Sequence, residues 1–259
     1  MIGVFDSGIG GLSVVKEIIK VLPQNKIIYF GDTARLPYGT KGVDFVKKYS
    51  AKITEWLLSR GAEIIIIACH TSSAQAGDFL KKEFKGIPVF DMITPCVKEL
   101  SSYKSIGIIG TPGTIRSRAW EKHILINNPD SSIQSVSCPL FVPLVEEGWI
   151  DNNITEQIIK EYLNEFSNIE VLILACTHYP FLEKAIKNTL GENIKIINPA
   201  ESLARELKIF LNDNIQIRNK IKQGDNHQFF FSDEPYNFKK IVKLCLAQEI
   251  KPKITNEII

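Results

Sequence analysis

The chain has 259 residues, 44% of them hydrophobic and 23% charged, with a formal net charge of +2. These proportions are ordinary for a soluble globular protein, and the length suffices for one large or two small domains with real cores. The basic residues are scattered, which excludes a broad field for nucleic acid or an anionic membrane, and no apolar run is long enough to span a bilayer.

The chain opens on an apolar run at 2–5 without a basic leader or a small-residue cleavage pattern, so no signal peptide is expected. Strands are predicted next at 26–30, 63–68, 88–90, 105–109, 133–137, 170–175 and 194–197. Between them helical patterns cover, among others, 11–21, 43–59, 74–85, 94–100 and 181–190. Strand–helix alternation predicts parallel sheets with helices on their faces. The runs 64–67 and 171–174 are apolar throughout, as strands covered on both sides are. The polar stretch 212–227 reads as a linker or surface excursion. After it come a strand at 228–232, a closing helix at 236–248 and a peripheral or loosely docked tail at 249–259.

Five cysteines, odd in number and without tight spacing, argue against a disulfide framework and for a reducing cytoplasm where thiols stay free. Two of them stand in matched settings. One apolar strand runs into Ala68-Cys69-His70-Thr71 and another into Ala175-Cys176-Thr177-His178. A second pair of echoes, Ile2-Gly3-Val4-Phe5 before Asp6 and Ile106-Gly107-Ile108-Ile109 before Gly110, lies at nearly the same offset. The echoes predict two similar parallel-sheet α/β halves facing each other about a pseudo-two-fold axis, with a site in the cleft between them. Ligands of open α/β sheets bind outside the carboxyl ends of strands, where both cysteines fall.

Two thiols approaching one cleft from opposite sides suit inversion at an amino-acid α-carbon. One group removes the hydrogen from one face and the other returns a proton to the opposite face. A thiol near pKa ~8.5 serves in either form close to neutral pH. The bland alternative, buried structural cysteines, stands for Cys96, Cys138 and Cys245, which lack a neighbouring Thr and His. A metal set of Cys69, His70, Cys176 and His178 is the other alternative; adjacent residues of an extended chain point to opposite faces, which weighs against it. No metal and no cofactor is expected.

Around the thiols, Asp6-Ser7-Gly8-Ile9-Gly10-Gly11 makes a tight turn whose N–H groups suit a carboxylate, with Asp6 free to orient a neighbour or to cap the helix after it. In Gly31-Asp32-Thr33-Ala34-Arg35-Leu36-Pro37-Tyr38-Gly39 the backbone N–H of Tyr38 or Gly39 suits a substrate, or the loop is a packed surface turn. Arg35 is a carboxylate partner or a structural residue. His178 steadies or deprotonates the Cys176 thiol, or it is a first-turn surface residue after a capping Thr177. Glu146 and Glu147 are a solvated face or supply one auxiliary acid.

Phe5-Asp6-Ser7-Gly8-Ile9-Gly10-Gly11-Leu12, the loop 31–39, Ala68-Cys69 with Thr71, and Cys176-Thr177-His178-Tyr179-Pro180 together resemble the glutamate racemases of the aspartate/glutamate racemase superfamily. The stretches 139–148 and 231–233 add weaker echoes, and the motifs follow in order along nearly the whole chain. The resemblance implies two α/β domains, 1–95 with 205–259 and 96–204, in a homodimer. It implies a cofactor-independent racemase that supplies D-glutamate for peptidoglycan. By position, Cys69 takes the α-proton from D-glutamate and Cys176 from L-glutamate, with Asp6 and His178 as auxiliary groups. Ser7, Tyr38, Gly39, Thr71 and Thr177 match substrate-holding positions, together with Asp6 and His178. One departure is His70, where the family usually has Asn. An imidazole there still donates a hydrogen bond, and if protonated it lowers the pKa of Cys69. Alternatives to glutamate racemisation are an aspartate racemase or related isomerase, and a non-catalytic amino-acid-binding protein.

Overall fold

Successive side chains of a strand point to opposite faces, so a strand with apolar residues throughout needs a core on each side. Ile64 and Ile66 enter one core while Ile65 and Ile67 enter another. Leu172 and Leu174 likewise separate from Val171 and Ile173. Each such buried side chain contributes roughly 1.5–3 kcal/mol. The result is two sheets, each wrapped by helices on both faces.

The computed structural model describes residues 1–234, 237–246 and 250–258. In chain order the elements are β1 (Ile2–Asp6), α1 (Leu12–Val21), β2 (Ile27–Gly31), α2 (Val43–Ser59), β3 (Ile64–Ile67), α3 (His70–Glu83), β4 (Val89–Phe90) and α4 (Thr94–Val97). There follow β5 (Ser105–Gly110), α5 (Pro112–Arg116), α6 (Ala119–Asn127), β6 (Ser132–Ser137), α7 (Phe141–Glu146), α8 (Asn153–Leu163), β7 (Val171–Ala175), α9 (Glu183–Leu190) and β8 (Lys195–Ile197). The chain closes with α10 (Pro199–Asp213), α11 (Ile215–Lys220), β9 (Gln228–Phe231), α12 (Phe238–Leu246) and β10 (Lys253–Ile254).

One sheet has the order β10-β9-β2-β1-β3-β4 and the other β6-β5-β7-β8. Every strand pairing in both is parallel. The order 2-1-3-4 of the first sheet thus recurs as 6-5-7-8 in the second, the structural counterpart of the sequence echoes. Helix α10 starts at the Asn198 cap, whose side chain accepts from Ala200 N–H, with Pro199 in its first turn. Its buried residues Ala200, Leu203, Ala204, Leu207 and Leu211 all join the core of the first sheet. The expected domain boundary between residues 204 and 205 falls inside this helix.

Three expectations are sharpened by the structure. The helix expected at 74–85 begins at His70, because Cys69 itself occupies the cap position. The excursion at 212–227 contains α11, which has no buried residue, and is pinned by Ile221 in the core and by an Asn25–Gln223 bridge. Of the two readings of the tail, docking is the one the structure has. β10 pairs with β9, Ile258 is buried, and Glu257 accepts from Trp56 Nε1 at 2.6 Å and pairs with Arg60 at 2.7 Å. An open edge on β9 and a cation beside an indole supply what a charged tail needs to settle. Of the closing helix expected at 236–248, residues 236, 247 and 248 lie outside the described residues, as do 249 and 259 of the tail.

Candidate active site

In each sheet the chain runs from a central strand to neighbours on either side, β1 between β2 and β3, and β5 between β6 and β7. Such switch points open a crevice at the carboxyl ends of the strands. Asp6 ends β1, Cys69 follows β3, Thr111 follows β5 and Cys176 follows β7. Both cysteines line one cavity of about 40 Å³ between the halves, together with Ser7, Tyr38, Gly39, His70, Thr71, Thr177 and His178. That volume holds a few water molecules. The sequence-selected positions, from four separated stretches, converge there; Asp6 lies behind the wall, 1% exposed.

Cys69 caps α3, its sulfur accepting from Ser72 N–H at 3.4 Å and lying 3.5 Å from Ser7 Oγ. A helix N-terminus favours a thiolate, but burial wins, and with the charge of Asp6 it pushes the thiol up to about 11. Cys69 therefore carries its proton at neutral pH. The Asp6 carboxyl is itself raised by burial, against the opposing charge of His178 and hydrogen bonds from backbone N–H groups that include Gly8 at 2.9 Å. Its Oδ1 is buried without a hydrogen-bond partner. Asp6 does not cap α1, whose first turn has no side-chain cap.

In the second half, Cys176 Sγ lies 3.9 Å from His178 Nδ1, and His178 Nε2 lies 3.2 Å from Glu146 Oε1. The second approach is ionic rather than an aligned hydrogen bond, since Nε2 has no partner of hydrogen-bond geometry. Burial favours the neutral imidazole, yet Cys176 and Glu146 outweigh it and push His178 up to about 10. The imidazole is thus a cation at neutral pH, placed to steady a thiolate on Cys176. Of the two glutamates weighed from sequence, it is Glu146 that faces the cleft.

The glycine turn after β1 admits this histidine. A Cβ at Gly10 would fall 2.5 Å from both His178 Cε1 and Thr177 Oγ1, so only glycine lets the two halves meet there. Ser13 Oγ donates to the Thr177 carbonyl at 2.9 Å beside it. On the far side of the cleft Thr71 Oγ1 meets Thr111 Oγ1 at 2.9 Å and Thr114 Oγ1 at 3.2 Å. Sequence reasoning missed Thr111 and Thr114. Their one local signal is a helix cap, Thr111 accepting from Thr114 N–H, which says nothing about the partner across the cleft.

Tyr38 turns its phenol away from the cleft and donates to Asp32 Oδ2 at 2.6 Å, leaving backbone N–H groups of the Tyr38–Gly39 turn as its means of contact with a ligand. Arg35 is engaged with Asp32 at 2.7 Å and stacks over Tyr49, so it is structural. Among the described residues no three His, Cys, Asp or Glu side chains are grouped to hold a metal ion, and no helix is long and apolar enough to cross a membrane.

His70 differs from the expectation that a charge there lowers the thiol. Its ring is stacked on Trp120 of the opposite half, with centroids 6.1 Å apart, and burial pushes it down to about 3 despite the nearby Asp91 charge. It is a neutral imidazole at working pH and adds no cation beside Cys69. A histidine whose folded value lies below its unfolded one stabilises the fold fully above pH ~6.5, and loses that contribution as the pH falls toward ~3. His70→Asn is therefore expected to flatten the loss of stability between about pH 6.5 and 4.5, measured as the urea midpoint at each pH. Parallel curves for the two proteins would refute the assignment.

Comparison with known proteins follows the same outline. The Asp/Glu/hydantoin racemase family model matches residues 2–207. Glutamate racemase of Geobacter metallireducens is 43% identical over 93% of this chain and 90% of its own length. Glutamate racemase of Aquifex aeolicus is 39% identical over 99% of this chain and 98% of its own length. The crystal structure of glutamate racemase from Francisella tularensis in complex with D-glutamate superposes with a TM-score of 0.91 at 39% identity, covering 98% of this chain and 96% of that one.

Proposed function

The chain belongs to the Asp/Glu/hydantoin racemase family, and from that premise we propose that it interconverts L- and D-glutamate by proton transfer between Cys69 and Cys176. The observation that carries the reading is the unlike surroundings of two thiols on one cavity. Cys69 is held protonated by burial and Asp6, while Cys176 faces an imidazolium sustained by Glu146. That is the pair needed to act on L-glutamate. Cys176 takes the α-hydrogen, the α-carbon flattens, and Cys69 delivers a proton to the other face. The reverse direction begins with Cys69 as thiolate, with Asp6 and His178 as the groups through which the two protonation patterns exchange.

Backbone N–H groups of the Tyr38–Gly39 turn, the hydroxyls of Ser7, Thr71 and Thr177, and the neutral imidazole of His70 are the substrate-holding groups of this proposal. They supply donors for carboxylates without a further buried charge. The cavity is smaller than the substrate, so entry requires the halves to part. We propose that they move as two domains close to the expected 1–95 with 205–259 and 96–204, with the boundary moved to the start of α10 so that residues 199–204 travel with the first. The resemblance further supports a cytoplasmic homodimer that needs no cofactor and supplies D-glutamate for peptidoglycan.

The test is circular dichroism of purified protein incubated with L-glutamate or L-aspartate in D₂O. The glutamate signal should decay to zero as deuterium enters Cα. Aspartate, one methylene shorter, should react about 10²-fold more slowly. A stable glutamate signal without deuterium would leave a binding protein; faster decay of aspartate would make the chain an aspartate racemase.

A further inference from the structure

The first half reaches the Cys176 side of the cleft through α12. The apolar face of this helix, Phe238, Ile241, Val242 and Cys245, is buried in the core of the first sheet. Two of the polar residues at its start cross to the second half. Asn237 Nδ2 donates to the Glu146 carbonyl at 3.2 Å and lies 3.4 Å from Glu147 Oε1. Lys240 Nζ donates to the Glu147 carbonyl at 2.5 Å.

These carbonyls close α7, where intrahelical N–H donors run out and a cation is favoured. Gly148 follows with φ +70°, and a Cβ there would fall 2.2 Å from Lys240 Cε. The left-handed glycine makes room for the lysine as well as ending the helix. The last residue of α7 is Glu146, whose carboxylate approaches His178.

We propose that Asn237 and Lys240 are positioning residues: α12 fastens the end of α7 so that Glu146 stays against His178, coupling the closed arrangement of the halves to the charge beside Cys176. The proposal rests on the racemase reading and names a control of that same site. Three titratable groups surround His178, namely Asp6 from the end of β1, Cys176 from the end of β7 and Glu146 from α7. Of these, only Glu146 is held by α12. Loosening α12 therefore weakens one of the two interactions that keep the imidazole charged, and leaves Cys69 and the turn at Tyr38–Gly39 untouched.

The experiment compares wild-type protein, Lys240→Met, Lys240→Arg and Asn237→Ser by the pH profile of glutamate racemisation and by NMR titration of the His178 imidazole. Lys240→Met is expected to lower kcat about 5- to 10-fold with KM within twofold, and to move both the alkaline limb and the imidazole titration down by about one pH unit. Asn237→Ser should do the same to a smaller degree, and Lys240→Arg should retain the wild-type profile. Because the equilibrium constant of a racemisation is one, kcat/KM must fall equally in both directions. An unmoved imidazole titration in both loosened variants, whatever their activity or stability, overturns the latch while leaving the racemase reading intact. A wild-type protein that does not racemise glutamate overturns that reading, and this proposal with it.

Discussion

Alanine at Cys69 or at Cys176 is expected to lower glutamate racemisation by about 10³-fold, within the range by which a positioned acid or base accelerates proton transfer. The two variants should fail in different ways. With Cys69 removed, Cys176 and His178 remain, so L-glutamate still exchanges its α-hydrogen with D₂O while keeping its configuration. With Cys176 removed, only D-glutamate retains that exchange, slowed by the high pKa of Cys69. Mass spectrometry of each enantiomer after incubation reads the exchange, and circular dichroism reads inversion. Alanine at Cys96, Cys138 or Cys245 costs stability through lost packing, since these thiols are buried in the cores, but leaves inversion in place. Wild-type inversion by either single variant, or loss of exchange from both enantiomers in both, contradicts the two-sided scheme.

The second large effect concerns stability. Asp32 is fully buried behind the cleft and accepts from Arg35 at 2.7 Å, Tyr38 at 2.6 Å and Ser232 at 2.9 Å. Its network joins the turn after β2 to the segment after β9. Removing one partner of a buried ion pair leaves the other charge uncompensated, at about 3–5 kcal/mol. The Arg35 side chain keeps 19% exposure, so Asp32→Ala is expected near the low end, about 3 kcal/mol, by urea denaturation. KM for glutamate should rise in the same variant, because the Tyr38–Gly39 turn loses its anchor. Arg35→Met in the Asp32→Ala background removes the orphaned charge and should recover part of the loss. A cost below about 1 kcal/mol would mean that the network is no stronger than a surface pair.

Much of this molecule can be read locally. Apolar runs bounded by turn residues mark the sheet strands, because a strand buried on both faces has no room for polar side chains. Helix α10 carries local signals of the same kind, its Asn-Pro start and the spacing of Ala200, Leu203, Ala204, Leu207 and Leu211, yet no expected element covers it and the expected domain boundary falls inside it. The Ala-Cys junctions stand out because a thiol at the end of a buried strand, beside Thr and His, is chemically loaded in a way that packing does not require. These features arise from neighbours within a few residues, where backbone periodicity and side-chain type suffice.

Contacts between distant segments are of another kind. Nothing near Gly10 announces that His178 occupies the space above it, and nothing in Glu146-Glu147 distinguishes the residue facing His178 from the one facing α12. Thr111 meets Thr71, and Ser232 meets Asp32, only because two sheets of like topology close on each other. The charge states follow the same division. His70 reads as a cation in waiting until burial against Trp120 makes it neutral, and His178 reads as an auxiliary group or a surface residue until a thiol and a carboxylate make it a persistent cation. Desolvation and Coulomb terms depend on what surrounds a group in three dimensions. The chain's residues name the chemistry available, and the fold alone assigns each proton its place.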